Sequence, residues 1–386
     1  MLKRGVLLIG FLSTFSLSLA QHHEAAAETK PATETKVVSA EEAEKEQIKK
    51  ENKEFIDHHL LDAHSFDIMV EKKADGTEEH WGFPLPVIFY DEANGLHAFM
   101  SSEFQHGKEL KDAHGKKYNV VESKGANYAL YHEKIVKTDA SGAITLDDHG
   151  HATNAKVLDL SITKSVLMIL CASLLMIVIF GSMARNYKKS PIPTGAGKLF
   201  EPLVIFIRDE IAIPNIGPKY HKYISYLLTI FFFILFLNVF GLLPFGINVT
   251  GNLAITAALA IFTFIITQFT ANRNYWQHIF WMPGLPFLMK LVMIPIELIG
   301  MIIKPFALLI RLFANMSAGH IVIMSLIAMI YYFQNVIAGV AFPFLTFVLY
   351  LLEILVAFLQ AYIFTMLSAV YFGMANEEHH HEEAHH

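Results

Sequence analysis

The chain has 386 residues, of which 53% are hydrophobic and only 17% charged, with a mean hydropathy of +0.39. That is too apolar for an ordinary soluble protein and calls for several membrane spans. The formal net charge is −6, and the acids are very unevenly placed along the chain; no nucleic-acid partner is expected. A single cysteine, Cys171, excludes a disulfide framework within the chain.

In chain order, Lys3 and Arg4, the apolar stretch Val6 to Leu19 and the small-residue site Ser18-Leu19-Ala20 read as a signal peptide over residues 1–20. Residues 21–80 form an acidic, His-containing segment expected to be flexible; within it Phe55 to Phe66 carries an apolar cluster suited to a short helix. Residues 81–159 form a small β-rich domain. Its expected strands are Pro84–Tyr90, Leu96–Met100, Tyr118–Glu122, Tyr128–Ile135 and Ala143–Leu146, separated by turn-prone stretches such as Asp91–Gly95 and Asp139–Gly142.

The membrane region covers residues 160–376, where the only acids from Ser161 to Asn376 are Glu201, Asp209, Glu210, Glu297 and Glu353. Five spans are expected: Ser165–Ala184, Tyr223–Leu243, Leu253–Phe269, Leu285–Tyr332 and Val336–Met374. The last two are too long to cross upright, so they must tilt strongly or run partly along the bilayer; a long tilted hairpin turning near Gln334–Val336 is expected. Lys198 to Ile213 repeats apolar residues at helical spacing among Glu201, Arg208, Asp209 and Glu210, the pattern of an interfacial amphipathic helix. Arg185, Lys188, Lys189, Arg273 and Lys290 mark the cytoplasmic side by the positive-inside rule. The expected fold class is therefore mainly α, a polytopic bacterial inner-membrane protein. Its N-terminal region is periplasmic, and a His/Glu-rich tail, residues 377–386, is cytoplasmic.

An ionisable group at bilayer depth costs at least a few kcal/mol and needs a partner or a wet path. Glu297, Lys304 and Arg311 are spaced by seven residues, which brings them onto one helical stripe. An antiparallel hairpin sets Arg311 level with Gln360, near Asn315, and His320 level with Glu353. His320 and Glu353 can exchange protons; Arg311 stays protonated and serves as a barrier instead. Lys304 admits two readings, a direct role or a side chain snorkelling to the surface. Asn315 and Gln360 admit a role in joining helices.

The run Arg311-Leu312-Phe313-Ala314-Asn315-Met316-Ser317-Ala318-Gly319-His320 resembles the signature of subunit a of rotary F-type ATP synthases. Phe358-Leu359-Gln360-Ala361-Tyr362-Ile363-Phe364 is similar to the family's C-terminal signature, and Asn238–Pro244 with Thr250–Thr256 to its middle spans. The resemblance implies a proton-translocating stator subunit that is not catalytic by itself and carries no cofactor. Its partners would be a c-subunit ring, a b-subunit stator stalk and the rest of the complex. Arg311 would face the ring, supported by Gln360 and Asn315. His320 and Glu353 would belong to the outer half-channel and Glu297 to the inner one. Asn252 stands where many members carry Asp, which leaves it a polar, channel-lining position.

Two other classes compete. A metal-handling transporter would use some of the 20 histidines, including His58, His59, His149, His151 and His379–His381, but these lack fixed ligand spacing. An intramembrane hydrolase would need a nucleophile or metal pair near Glu353. No Gly-Lys-Ser/Thr phosphate loop is present, so no nucleotide site is expected.

Overall fold

The computed structural model describes residues 62–376, apart from 73–77, 113–116, 148–151, 191, 193–194, 196, 244–247, 282–285 and 334–335. The expected signal peptide, most of the acidic segment, and the His-containing 58–59, 149–151 and 377–386 stretches lie outside the described residues.

The N-terminal part is β-rich. Strands β1 (Ser65–Lys72) and β2 (Glu78–Pro84) form an antiparallel hairpin. This corrects the expectation of a flexible segment up to residue 80. Of the short helix expected at Phe55–Phe66, residues 55–61 lie outside the described residues, and Ser65 and Phe66 open a strand instead. β3 (Pro86–Asp91) pairs with β4 (Gly95–Met100) on one side. Its other edge takes β9 (Leu158–Asp159). β5 (Lys108–Lys111), β6 (Lys117–Ser123), β7 (Ala126–Tyr131) and β8 (Lys134–Lys137) make a four-stranded meander.

The expected single strand Tyr128–Ile135 is broken because His132 and Glu133 both take positive φ, 48° and 57°, and turn the chain between β7 and β8. Two-residue hairpin turns need that left-handed geometry, but no glycine advertises it here. The expected strand Ala143–Leu146 reduces to one bridge from Leu146 to Ala152. Val87, Phe89, Phe104, Val121, Tyr128 and Ile135 fill the core of this region. At its edge the Tyr128 hydroxyl donates to Asp91 at 2.8 Å and the Lys137 amine donates at 2.7 Å. The Lys137 amine beside it holds the Asp91 carboxyl down to about 2.

The remainder is helical. α1 (Lys164–Tyr187) starts at Thr163, whose side chain accepts from the Val166 amide. α2 (Gly197–Phe206) runs on through a π-helical turn, Ile207–Ala212, and a last turn, Ile213–Ile216. α3 (Ile224–Leu242) and α4 (Leu253–Thr270) follow, then the short α5 (Arg273–Phe280). α6 (Phe287–Phe333) has 47 residues and α7 (Val336–Asn376) has 41. Five of these helices, all but α2 and α5, are long and apolar enough to cross a membrane. As helices they satisfy their backbone groups internally, and with few charges their side chains suit hydrocarbon.

α3 is the best-covered span: Leu227, Phe231, Ile234 and Leu237 are fully buried. They pack with Ile207 and Ile211 of the π turn, with Leu308, Leu312 and Met316 of α6, and with Ala361, Phe364 and Phe372 of α7. One face of the α2 extension is thus bound to the spans, whereas Leu199 at its start is exposed.

Candidate functional site

Residues four apart on α6 sort its polar stretch into two faces. Leu308, Leu312 and Met316 are buried among the helices. Arg311, Ala314, Asn315 and Ala318 are exposed on the opposite side. The guanidinium-bearing face is therefore lined with small residues and is open at the chain's surface. On α7 the buried face carries polar groups, among them Glu353 and Gln360, beside Ala357 and Ala361.

Glu353 does not bond to His320. Its carboxylate lies on the backbone of Gly319, where a Cβ would stand 2.8 Å from the carboxyl carbon. The neighbouring His320 is rotated about 100° around the helix. His320 is half-buried, and its Nε2 has no hydrogen-bond partner among the described residues. The level expected from spacing is thus present on both helices. The direct contact, however, is made by the residue with no side chain.

Around this level the structure assembles amides and hydroxyls that spacing did not single out. Asn238, fully buried near the C-terminal end of α3, donates to the Ala357 carbonyl at 3.1 Å and accepts from the Thr250 hydroxyl at 2.8 Å. Asn248 donates to the Met316 carbonyl at 2.9 Å and accepts from the Gly251 amide at 2.9 Å. Ser317 donates to the Gly251 carbonyl at 3.2 Å. The short connection 248–252 is thereby fastened to α3 and α6 beside Glu353 and, through Asn238, to α7. The sequence signals were a solitary Asn in an otherwise apolar span and the family resemblance of Asn238–Pro244 and Thr250–Thr256, neither of which gave these contacts. Asn252 itself caps α4, accepting from the Ala254 amide at 2.9 Å.

Toward the other end, Lys304 is half-buried. Its amine reaches Met374 Sδ at 4.0 Å and sits 5.7 Å from the centre of the Tyr371 ring. It lines a cavity with Thr263, Thr267, Gln268, Tyr275 and Tyr371. Gln268 donates to Tyr275 Oη at 3.3 Å, and its buried Oε1 has no partner among the described residues. Glu297 lies half-buried two turns before Lys304 on α6. Among the described residues no group of His, Cys, Asp or Glu is arranged to hold a metal ion.

These features agree with the comparisons to known proteins. The family model for the ATP synthase A chain matches residues 166–373, more than half of the chain. A second, for a domain of unknown function (DUF8433), matches residues 55–160. ATP synthase subunit a of Chlorobium phaeobacteroides (strain BS1) is 40% identical over 324 residues, covering 79% of this chain and 93% of that protein. ATP synthase subunit a 2 of Chlorobaculum tepidum is 48% identical over 227 residues, covering 56% of this chain and 64% of that one. The corresponding protein of Anaeromyxobacter sp. (strain Fw109-5) is 41% identical over 257 residues, 62% of each. With its helices, its arginine-bearing face and these matches taken together, the chain belongs to the ATP synthase A chain family.

Proposed function

We propose that this chain is the proton-conducting stator subunit of a rotary F-type ATP synthase in a bacterial inner membrane. The observation that carries the reading is Arg311: a permanent cation, exposed on a small-residue face of a helix otherwise fit for hydrocarbon. Among the described residues no acidic side chain pairs with it, so its counter-charge is assigned to a partner. A ring of c subunits, each with one membrane-embedded carboxyl, is that partner.

In this mechanism a proton enters from the periplasm through the polar zone around Glu353 and His320. It neutralises a ring carboxylate, which then rotates through lipid at little cost; its ionised form could not. On the other side the proton leaves by the zone of Glu297 and the Lys304 cavity. Arg311 favours ionisation of the arriving carboxyl and, unable to give up its own proton, keeps the two zones apart. Gln360 and Asn315 flank it. Asn252 holds the start of α4 at the channel wall. Each charge crossing 100 mV gains about 2.3 kcal/mol, and the rotation drives ATP formation on other subunits. The chain is not catalytic alone.

The topology follows from charge and length. α6 is about 70 Å long by its residue count, more than twice the hydrocarbon thickness of about 30 Å. It therefore tilts strongly against α7 in a hairpin. α2 lies amphipathically along the cytoplasmic surface, the β-rich region is periplasmic and the C-terminus is cytoplasmic. The b-subunit stalk and the rest of the complex complete the set of partners.

The test is Arg311→Ala in the assembled complex, with ring retention checked first. ΔpH-driven ATP synthesis in inverted vesicles is expected to be abolished while passive proton leak is kept or raised. Normal coupled synthesis would overturn the mechanism.

A further inference from the structure

The two sheets of the β-rich region treat their outer faces differently. The four-stranded meander is covered on both sides, by the Val87–Tyr128 core on one and by Leu110, Ile144, Leu146 and Ala152 on the other. The three-stranded sheet β4-β3-β9 is covered on one side only. Its open face shows Tyr90 on β3, Leu96 and Met100 on β4, and Leu158 and Leu160 at β9, with Leu96, Leu158 and Leu160 respectively 54%, 61% and 57% exposed. Register makes this one patch, since Tyr90 pairs with both Leu96 and Leu158. A sheet with one face in water would alternate apolar inside and polar outside; this one is apolar on both.

The patch is continuous with the membrane. α1 begins at Lys164, four residues beyond Leu160, a reach of at most about 14 Å. The exposed apolar surface resumes on α1 at Val166, Leu170 and Leu174. Lys156 and Lys164 flank the Leu158–Leu160 end, where anionic headgroups would be attracted. The acidic Glu92 sits at the far end, in the β3–β4 turn. Tyr90 supplies the amphipathic ring favoured at membrane interfaces. We propose that this sheet face docks on the bilayer surface beside the N-terminal end of α1, so that the β-rich region lies down on lipid.

Cys171 is the chain's only cysteine, so Cys171→Ser gives a background for site-specific spin labels. Leu96→Cys and Leu158→Cys report the patch, and Ala140→Cys, in an exposed turn away from it, reports water. The labelled complex is reconstituted in vesicles of phosphatidylethanolamine and phosphatidylglycerol, and collisions with oxygen and with a water-soluble nickel chelate are compared. Oxygen is expected to dominate several-fold at 96 and 158, and the nickel chelate at 140. Dominance of nickel at 96 and 158 would mean an open, water-facing sheet. Exclusion of both reagents would mean a protein partner covers it. Either result overturns the proposal. Both replaced side chains lie outside the core; should one variant fail to assemble, Tyr90→Cys reads the same face.

Discussion

The Glu353 carboxylate rests against the α carbon of Gly319, occupying the space that any other residue's Cβ would need. A glycine here is a matter of room, because the helix is regular through this position. Gly319→Ala is therefore expected to push the carboxylate off its place while leaving α6 helical. Misplacing a positioned reacting group by about 1 Å can cost on the order of 100-fold, so ΔpH-driven synthesis is expected to fall at least about tenfold with the ring still bound. Glu353→Asp, shorter by one methylene, should recover part of the loss in the Gly319→Ala background. An unaltered rate in the single variant would mean that the carboxylate's position is unimportant.

The buried bridge from Thr250 through Asn238 to the Ala357 carbonyl ties the connection before α4 to α3 and α7. Thr250→Val keeps the shape and removes the donor. A buried acceptor stranded in this way costs about 1–3 kcal/mol, although hydrogen bonds within membranes average nearer 0.6. Because Asn238 and Thr250 are both fully buried, about 1 kcal/mol is expected. It should appear as a lower thermal midpoint of the solubilised complex. Pairing Thr250→Val with Asn238→Leu should cost less than the two single changes added together.

The spans were legible because runs of apolar residues longer than a bilayer crossing have few other uses. The partner of Glu353 was legible to within one residue: helix spacing and the turn near residue 334 pointed to His320, and the contact is with Gly319. One residue on a helix is a 100° rotation, which spacing arithmetic between two long helices cannot resolve. The Asn238–Thr250 and Asn248–Met316 contacts were beyond reach for another reason. They join segments 12 and 68 positions apart and depend on where a short connection folds back. In the β-rich region the His132-Glu133 turn escaped because neither residue is the usual glycine or asparagine of a two-residue hairpin.

Ala314 and Ala318 give α6 a shallow face beside Arg311, the surface through which a neighbouring helix can approach closely. Ala318→Trp should leave the subunit folded, since the position is exposed, but should hold the ring away from Arg311. Ring subunits are expected to be lost during purification in detergent, or synthesis to fall with the ring retained. Ala318→Ser should behave as the parent. Full retention with normal synthesis in the tryptophan variant would place the ring on another face.

Residues 62–64 clamp the β-rich region to the first span, and the clamp is expected to depend on pH. Asp62 accepts from Thr163 Oγ1 at 2.9 Å and the Ser165 amide at 3.1 Å, and the Ala63 carbonyl accepts from the Lys164 amide at 3.0 Å. His64 meets Asp159 at 2.8 Å and Glu133 at 3.4 Å. Burial opposes a charge on His64, but hydrogen bonds to the two carboxylates and their charges outweigh it and raise the imidazole to about 9. A group raised in the folded chain stabilises fully below its unfolded value near 6.5, and that contribution is lost as pH rises through about 9. Tryptic cleavage after Lys156 or Lys164, corrected for the enzyme's own pH dependence, should therefore accelerate between pH 7 and pH 9.5. His64→Gln, neutral throughout, should be cleaved faster at pH 7 and show little further change. A parent chain equally resistant across that range would mean that the His64 charge does not hold the junction.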